Sequence, residues 1–572
     1  MMFSLIATTL ALGSGCSWSR QPDWIAVGRR QMVASDHPLA SRAGLEVLRA
    51  GGNAVDAAIA VSLTLAVARP ESTGLGGGGF MIVRTADGEA VALDYRERAP
   101  GAATPDMFTA ARRSATTNGD SDILPPSQFG YLAVAVPGQL AGLAEAHRRW
   151  GTQSWARLAA PAIRWADGGF PVDEHYADAT RGVLARYEAH PELQGACGYV
   201  YRVHLREGRL RSAGDSLRQP ELAKALHAIA DLGAEQFAHA QLAPDLEAQM
   251  AAHGGVVTAA DLQGYTATGR SPLHGTYRGY EVVTMPPPSS GGICLIEALN
   301  ILEHVPLPNL LRRDEPLALH YLIEAEKHAL ADRARWLGDA DFAPVPVNLL
   351  TSKGYAQVLA EALDARHTHP VRTYGAQRIP DDAGTSHFCV IDRWGNCVVS
   401  TETVNTSFGS LAAVDRWGII LNNEMDDFTA EPGQANYFDL QQSQRNAVEA
   451  RKRPLSSMSP TLVLRDRQPV LMLGASGGPR IITAVLNVLV RVLDGGLSLP
   501  EAMTALRVHH QWQPDEVYFD REPPAGIAAG LKSRGHELAT TRKTGVVQAI
   551  LVTPGKLVGG SDPRKGGEPA GN

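Results

Sequence analysis

A change of sequence pattern near residue 383 constrains the fold of this chain more than any other feature. Before that point, apolar residues recur mainly at helical spacing; beyond it, short apolar strands alternate with turns until helices return. The predicted helices are 37–49, 53–67, 481–493 and 499–505, and the predicted strands are 387–391, 397–404, 419–422, 461–464 and 470–473. Strand hairpins flanked by helices predict an α+β fold built in layers.

The composition is that of a folded globular protein. Of 572 residues, 44% are hydrophobic and 20% are charged, which is too apolar for an intrinsically disordered chain. The 53 Lys and Arg residues against 60 Asp and Glu residues leave a formal charge of −7. Because neutralising phosphates requires a basic surface, this balance argues against nucleic acid as a partner.

The N-terminus is typical of a bacterial secretory signal. An apolar stretch from Phe3 to Leu12 is too short to span a bilayer, and small residues then lead to Cys16. Residues 1–16 therefore predict a signal peptide, with Cys16 as a candidate lipidated residue and a location in the periplasm or at the outer membrane. Two features depart from a lipoprotein signal: no Lys or Arg precedes the apolar stretch, and Gly13 occupies the position where that motif usually has Leu. The alternative is a start codon assigned too far upstream of an ordinary domain.

One candidate for catalysis is the G-x-S-x-G pattern at 474–478, which centres on Ser476. It follows a predicted strand and precedes a predicted helix, as a nucleophile elbow requires. Asp515 and His536 follow in the chain order of a serine-hydrolase triad. The alternative is a tight turn with exposed backbone N–H groups, in which the serine has no catalytic part.

The other polar and glycine-rich clusters do not predict a metal ion or a cofactor. Asp426-Asp427 and His509-His510 are adjacent pairs without the spacing of known metal sites. The glycine run at 74–79 lacks both the Lys-Ser/Thr of a P-loop and the acidic residue of a dinucleotide site. We therefore expect no metal ion, no cofactor and close backbone packing at the glycines.

Two cysteines, Cys389 and Cys397, flank the predicted turn of the first hairpin. In an oxidising compartment they could form a disulfide, whereas as buried small hydrophobic residues they would stay reduced. The sequence leaves both alternatives open. Five cysteines in a chain of this length are in any case too few for a disulfide scaffold.

Several short motifs together resemble the γ-glutamyltranspeptidase family. They are Asp94-Tyr95-Arg96-Glu97, Gly384-Thr385-Ser386-His387-Phe388, residues 423–428, and Arg453-Pro454 with the serines that follow up to Pro460. They occur in family order and at family-like distances, and the resemblance extends from Ala50-Gly51-Gly52 to the tail Ser561-Asp562-Pro563-Arg564.

The resemblance implies an N-terminal nucleophile hydrolase, a four-layer αββα sandwich whose precursor cleaves itself. Carried onto this chain, the cut falls between Gly384 and Thr385, giving a large subunit, 17–384, and a small catalytic subunit, 385–572, interlocked in one domain. Cleavage frees an α-amine on Thr385, which can act as the base that a threonine hydroxyl needs. Thr403 is expected to orient that hydroxyl.

The resemblance also assigns the recognition of a γ-glutamyl group. A bidentate guanidinium and two hydroxyls suit the α-carboxylate, acceptor groups suit the α-ammonium, and backbone N–H groups suit the oxyanion. The residues implied are Arg96, Ser456 and Ser457 for the carboxylate, Asp427, Glu424 and Asn405 for the ammonium, and Gly477 and Gly478 for the oxyanion.

The implied activity is that of a γ-glutamyltransferase and glutathione hydrolase without a cofactor. Its substrates would be glutathione and other γ-glutamyl compounds, with water, an amino acid or a dipeptide as acceptor. Residues 432–446 would form a lid gated by Tyr437 or Phe438, which argues against the lidless cephalosporin-acylase branch. A glutaryl or cephalosporin-type acylase and an inactive binding protein of the same family remain alternatives. Membrane association is expected only through the candidate lipid anchor.

Overall fold

The structure, a computed structural model, describes residues 22–111, 124–374, 384–429, 443–539 and 544–572. The predicted signal segment with Cys16, and both gate candidates Tyr437 and Phe438, lie outside the described residues. None of the helices in the described ranges is long and apolar enough to cross a membrane.

Two antiparallel sheets of seven strands each form the middle of the molecule. Sheet 1 contains, in spatial order, Ile25–Gly28, Lys556–Ser561, Val546–Thr553, Gln468–Ser476, Thr461–Arg465, Tyr280–Thr284 and Leu273–Tyr277. Sheet 2 contains Ala570–Gly571, Met32–Ser35, Ser386–Ile391, Cys397–Thr403, Gly78–Arg84, Ala90–Tyr95 and Thr268–Arg270. Each sheet therefore combines strands from before and after residue 384.

The first hairpin of the strand-rich region faces a different core on each side. Phe388 and Val390 pack into the core that contains the helix Ala54–Ala68. Cys389 and Ile391 pack into the core between the two sheets. Successive side chains of a strand point to opposite faces, so an unbroken apolar run is what a strand covered on both sides requires.

Helices on the two outer faces complete a four-layer αββα sandwich, which confirms the fold class. Sheet 2 is covered by Pro38–Arg49, Ala54–Ala68 and Gln139–Trp150, and sheet 1 by Gly291–Glu303 and Arg480–Leu493, with Glu315–Trp336 packed against Gly291–Glu303. The other described helices, of which Ala238–Leu242 is a π-helix, are Trp155–Gly168, Glu174–Ala189, Leu193–Ala196, Gly198–Val203, Pro220–Leu232, Ala234–Phe237, Ala238–Leu242, Ala243–His253, Ala259–Gln263, Leu307–Arg313, Val347–Leu350, Lys353–Glu361, Leu499–Thr504 and Ala525–Lys532.

Most predicted boundaries are confirmed to within a residue, because local signals define them. The helix predicted at 53–67 begins after a capping box formed by Asn53 and Asp56. The prediction of a strand at 419–422 is only partly right, since Ile419–Ile420 pairs with Ala413–Val414 in a separate two-stranded ribbon. The strand predicted at 470–473 is longer, because pairing with Val546–Thr553 extends it to Ser476.

The hairpin register has two local consequences. Cys389 lies opposite Val399 and Cys397 opposite Ile391, and both cysteines are free buried thiols. Ser386 lies opposite Glu402, so the residue before it, Thr385, enters the sheet beside Thr403. Strand pairing alone therefore brings together the two threonines that the resemblance singled out.

Candidate active site

Two hydroxyl groups converge on the peptide carbonyl that precedes Thr385. The side chain of Thr385 donates to Gly384 O at 2.6 Å, and that of Thr403 donates to the same oxygen at 2.9 Å. The two hydroxyl oxygens lie 3.3 Å apart. The backbone N–H of Asn405 donates to Thr403 Oγ1 at 2.8 Å and so holds the second hydroxyl in place.

Gly384 is required by its conformation and its surroundings. Its φ is +101°, a region that side-chain-bearing residues rarely adopt. A Cβ at this position would lie 2.7 Å from both Asn405 O and the carbonyl carbon of Thr406. The peptide bond between Gly384 and Thr385 is thus held in a tight backbone turn against the strand end at Thr403.

Arg96 lies at the centre of a buried cluster of carboxylates. Its guanidinium lies 2.7 Å from Glu424 Oε2 and 3.6 Å from Glu97 Oε2, and it forms a short ion pair with Asp427. Burial raises the pKa of Glu97 to about 8, and it also raises the pKa of Glu424 and Asp427 against the opposing effect of Arg96. Three carboxylates therefore share one guanidinium, and burial favours the protonated form of each of them against the attraction of Arg96.

Ser456 is held by the turn at residues 286–292, and Ser457 follows it in the chain. Ser290 donates to Ser456 O from both its backbone N–H, at 2.8 Å, and its hydroxyl, at 2.6 Å. Both serines are buried, and they line a cavity together with the cluster around Arg96. We call this cavity the donor cavity, after the predicted binding of the γ-glutamyl donor. The predicted site residues that line it are Arg96, Thr385, Thr403, Asn405, Glu424, Asp427, Ser456, Ser457 and Gly478.

Gly477 and Gly478 form the turn between the strand Gln468–Ser476 and the helix Arg480–Leu493. Their φ values are +129° and +52°, so both positions favour glycine. Gly478 lines the donor cavity, while Gly477 lines a second cavity of about 610 Å³ that also borders Thr385 and Gly384. Thr385 thus lies between two cavities and lines both of them.

Lys565 is a neighbour of Thr385 that the sequence analysis missed. Its ammonium donates to Thr385 O at 2.7 Å and forms an ion pair with Asp36 at 2.7 Å. Burial opposes the charge of Asp36, but Lys565 and Arg69 outweigh it and lower the pKa of this carboxyl. The position of Lys565 two residues beyond the Asp562-Pro563 motif was the only available signal.

Arg333 is a second missed residue, and it lines the donor cavity. It lies on the helix Glu315–Trp336 and donates through Nη2 to Ser457 Oγ at 3.3 Å. The helix carries several buried charged residues, among them Glu324, Glu326 and Lys327. Charged residues are almost never buried without a partner. Their number at apolar-face positions of this helix could therefore have indicated a polar site.

The structure does not assemble the serine-hydrolase triad. Asp515 pairs with Lys327 at 3.0 Å, and His536 shares a hydrogen bond of 2.7 Å with His320. Within the described ranges, neither side chain forms a hydrogen bond with Ser476. The G-x-S-x-G match is therefore a strand-to-helix turn, which was the alternative reading of this motif.

One described cluster has the composition of a metal site, namely His320, Glu324 and His536, with ligand atoms within 4.8 Å of one another. His320 Nε2 lies 2.7 Å from Asp364 O and must donate to it, so Nδ1 accepts from His536. Glu324 accepts from Thr368 at 2.6 Å. The polar groups of this cluster thus already satisfy one another.

Comparison with known proteins gives one family over nearly the whole chain. The γ-glutamyltranspeptidase family model matches residues 40–572. The glutathione hydrolase proenzyme of Escherichia coli is 40% identical over 539 residues, covering 94% of this chain and 90% of the relative. The glutathione hydrolase proenzyme of Pseudomonas aeruginosa is 38% identical over 568 residues, covering 98% of both chains.

Solved structures agree with this assignment. The cephalosporin acylase of Bacillus halodurans aligns with a TM-score of 0.84 at 28% identity, covering 100% of this chain and 99% of that one. The γ-glutamyltranspeptidase of Helicobacter pylori aligns with a TM-score of 0.53 at 37% identity, covering 58% of this chain and 92% of that one. In sequence and in fold, this chain belongs to the γ-glutamyltranspeptidase family.

Proposed function

We propose that this chain is a self-cleaving γ-glutamyltransferase and glutathione hydrolase whose nucleophile is Thr385. One observation carries the proposal. Thr385 and Thr403 converge on a single peptide carbonyl at the edge of a cavity that also contains Arg96 and Asp427. The same residue can therefore attack its own peptide bond first and a bound γ-glutamyl amide later.

In the self-cleavage step, Thr385 Oγ1 attacks the carbonyl carbon of Gly384. The C–N bond breaks, the nitrogen gains a proton, and an ester joins Gly384 to the threonine oxygen. Water then hydrolyses that ester and leaves a carboxylate on Gly384 and a free α-amine on Thr385. Thr403 donates to the carbonyl oxygen, so it stabilises the negative charge that develops there.

In the transfer step, the free α-amine of Thr385 accepts the proton of its own hydroxyl. The oxygen attacks the γ-carbonyl carbon, and the N–H groups of Gly477 and Gly478 receive the oxyanion. The amine leaving group takes the proton, and a γ-glutamyl ester remains on Thr385. Water or the amine of an amino acid or dipeptide then releases the acyl group. After the bond between Gly384 and Thr385 is cleaved, the Thr403 hydroxyl no longer needs to donate to the Gly384 carbonyl and can donate to Thr385 Oγ1 instead.

The donor head group carries one carboxylate and one ammonium, and the cavity offers a partner for each. Arg96 is paired with Glu424, at 2.7 Å, and with Asp427. A zwitterionic head group can replace this internal pairing. Its carboxylate would bind near Ser456 and Ser457, and its ammonium would bind Asp427. A buried exchange of charge for charge avoids leaving any ion without a partner.

A glutaryl acylase is a second candidate, because the cephalosporin acylase fold aligns so fully with this chain. A glutaryl group lacks the ammonium, so Asp427 and Glu424 would gain no counter-charge from it. The buried carboxylates therefore favour a γ-glutamyl donor. Rates with a γ-glutamyl anilide and a glutaryl anilide compare the two candidates directly, and we expect the γ-glutamyl substrate to be preferred.

We propose as well that the protein is exported to the bacterial periplasm and that Cys16 carries a lipid. The support is the apolar stretch and the small residues before Cys16. Intact mass of the large subunit purified from membranes tests this. An unmodified N-terminus near residue 17, or one that retains Met1, would contradict the lipid.

The decisive experiment for the main proposal is a denaturing gel with N-terminal sequencing of each band. The purified protein should give two bands, the smaller beginning Thr-Ser-His-Phe. Thr385→Ala should abolish both cleavage and release of aniline from a γ-glutamyl anilide, whereas Ser476→Ala should retain both. A single full-length band with full activity would refute the proposal.

A further inference from the structure

Arg333 presents a buried positive charge that forms no ion pair with a carboxylate of the described residues. The residue is 2% exposed and lies in the wall of the donor cavity. Its Nε donates to Ser290 Oγ at 2.8 Å and its Nη2 to Ser457 Oγ at 3.3 Å. Nη1 has no hydrogen-bond partner, and across the described ranges no carboxylate lies within the 4.0 Å of an ion pair with this guanidinium.

Arg96 and Arg333 differ in how their positive charges are compensated. Arg96 is surrounded by Glu424, Asp427 and Glu97, so its charge is already compensated by protein carboxylates. The hydrogen-bond partners of Arg333 among the described residues are hydroxyls, and burial lowers its pKa although the more distant charge of Asp427 opposes this. A buried ion without a counter-ion is strongly unfavourable, and such sites are normally paired or filled by a ligand.

The hydrogen bonds of Arg333 also determine what the neighbouring serines can do. Ser457 Oγ accepts from the guanidinium, so its own hydrogen is free to donate to an incoming group. Ser290 accepts from Arg333 and donates to Ser456 O at 2.6 Å, which links the arginine to both serines. The free N–H groups and the free hydroxyl hydrogen form a donor set suited to one carboxylate.

We propose that Arg333 is a second guanidinium for the α-carboxylate of the donor, binding it through Nη1 and orienting Ser457 to bind it as well. The inference rests on the proposed function, since it concerns the same donor cavity. The carboxylate would then lie on the side of Arg333 and the serines, and the ammonium on the side of Asp427 and Glu424. Arg96 is paired with both Glu424 and Asp427.

The test uses three inhibitors of γ-glutamyl anilide hydrolysis by the mature enzyme. L-Glutamate carries both charges, glutarate lacks the ammonium, and 4-aminobutyrate lacks the α-carboxylate. Arg333→Gln should raise the inhibition constants of L-glutamate and glutarate by about 10- to 100-fold, the loss of a hydrogen bond to a charged group. The constant of 4-aminobutyrate should change by less than about threefold, and KM for the anilide should rise more than kcat falls.

The matched control is Arg335→Gln, which removes an exposed arginine from the same helix two residues away. It should leave all three inhibition constants unchanged. If Arg333→Gln raises the constants of glutarate and 4-aminobutyrate equally, the residue has only a structural role and the proposal is wrong. No change in the glutarate constant would overturn it too.

The Arg333→Lys variant and the activity of the wild-type enzyme distinguish failure of this proposal from failure to mature and from failure of the proposed function. If Arg333→Gln does not mature into two bands, Arg333→Lys retains the charge without the planar fork and should give a smaller loss, again confined to L-glutamate and glutarate, the two inhibitors with a carboxylate at the α-carboxylate position. An equal loss for 4-aminobutyrate in that variant would refute the proposal. A wild-type enzyme that fails to hydrolyse the γ-glutamyl anilide would instead refute the proposed function.

Discussion

Replacing Thr403 by valine tests the geometry of self-cleavage most directly. Valine keeps the shape of the side chain but removes the hydroxyl that donates to Gly384 O at 2.9 Å. Losing one donor to a developing oxyanion costs about 2.7–4 kcal/mol, a factor of about 10²–10³ in rate. The backbone N–H of Asn405 also loses its acceptor, at 2.8 Å, which should cost about 1–3 kcal/mol of stability.

The assay follows the appearance of the fragment that begins at Thr385 on denaturing gels at successive times after purification of the precursor. Thr403→Ser is the matched control, because it restores the hydroxyl, and it should cleave within about tenfold of the wild type. Thermal unfolding establishes that each variant is folded. A folded Thr403→Val protein that cleaves at the wild-type rate would show that this hydroxyl does not stabilise the charge on Gly384.

Three other predictions follow from buried charges. Asp427→Asn should lower kcat/KM for a γ-glutamyl anilide by about 10- to 100-fold and leave inhibition by glutarate unchanged, because only the ammonium loses its charged partner; equal losses would refute this. Asp36→Asn should lower the free energy of unfolding by about 3–5 kcal/mol in denaturant titrations, because Lys565 and Arg69 lose a buried counter-charge. The control Glu46→Gln removes one partner of the exposed pair with Arg164 and should cost only about 0–1 kcal/mol. Burial lowers the pKa of His37, His204 and His387 to about 3 from 6.5, so their contribution to stability is present above pH 6.5 and is lost as the pH falls toward 3. Thermal midpoints should therefore decrease as the pH falls below 6.5, and constant midpoints would contradict this.

Much of the fold could be predicted because its signals are local. The capping box at Asn53 marks a helix start, and the apolar runs on either side of the turn near 392–396 mark a hairpin. The strand at 419–422 was overextended because apolar character alone does not report where a pairing partner ends. Its partner, Ala413–Val414, has only two residues.

The candidate site was accessible from the sequence to a more limited extent. The motifs around Arg96, Thr385, Asp427 and Ser456 could be identified because each is a short contiguous segment that resembles a family pattern. Their roles remain predictions, although the structure places them around one cavity. The triad order of Ser476, Asp515 and His536 was misleading, because chain order says nothing about which side chains meet.

What the sequence determined by itself is therefore the α+β class and the hairpin after residue 384, while the residues of a γ-glutamyl site are a prediction from family resemblance. Tertiary structure alone decided which charges are paired. Arg96 meets Glu424 and Asp427 across more than three hundred residues, Lys565 meets Thr385 across nearly two hundred, and Arg333 meets Ser457 but no carboxylate in the described ranges. Such contacts depend on how the layers pack, whereas a pattern in the chain reports only the environment within a few residues. That Arg333 forms no ion pair with a described carboxylate is visible only once that packing is known.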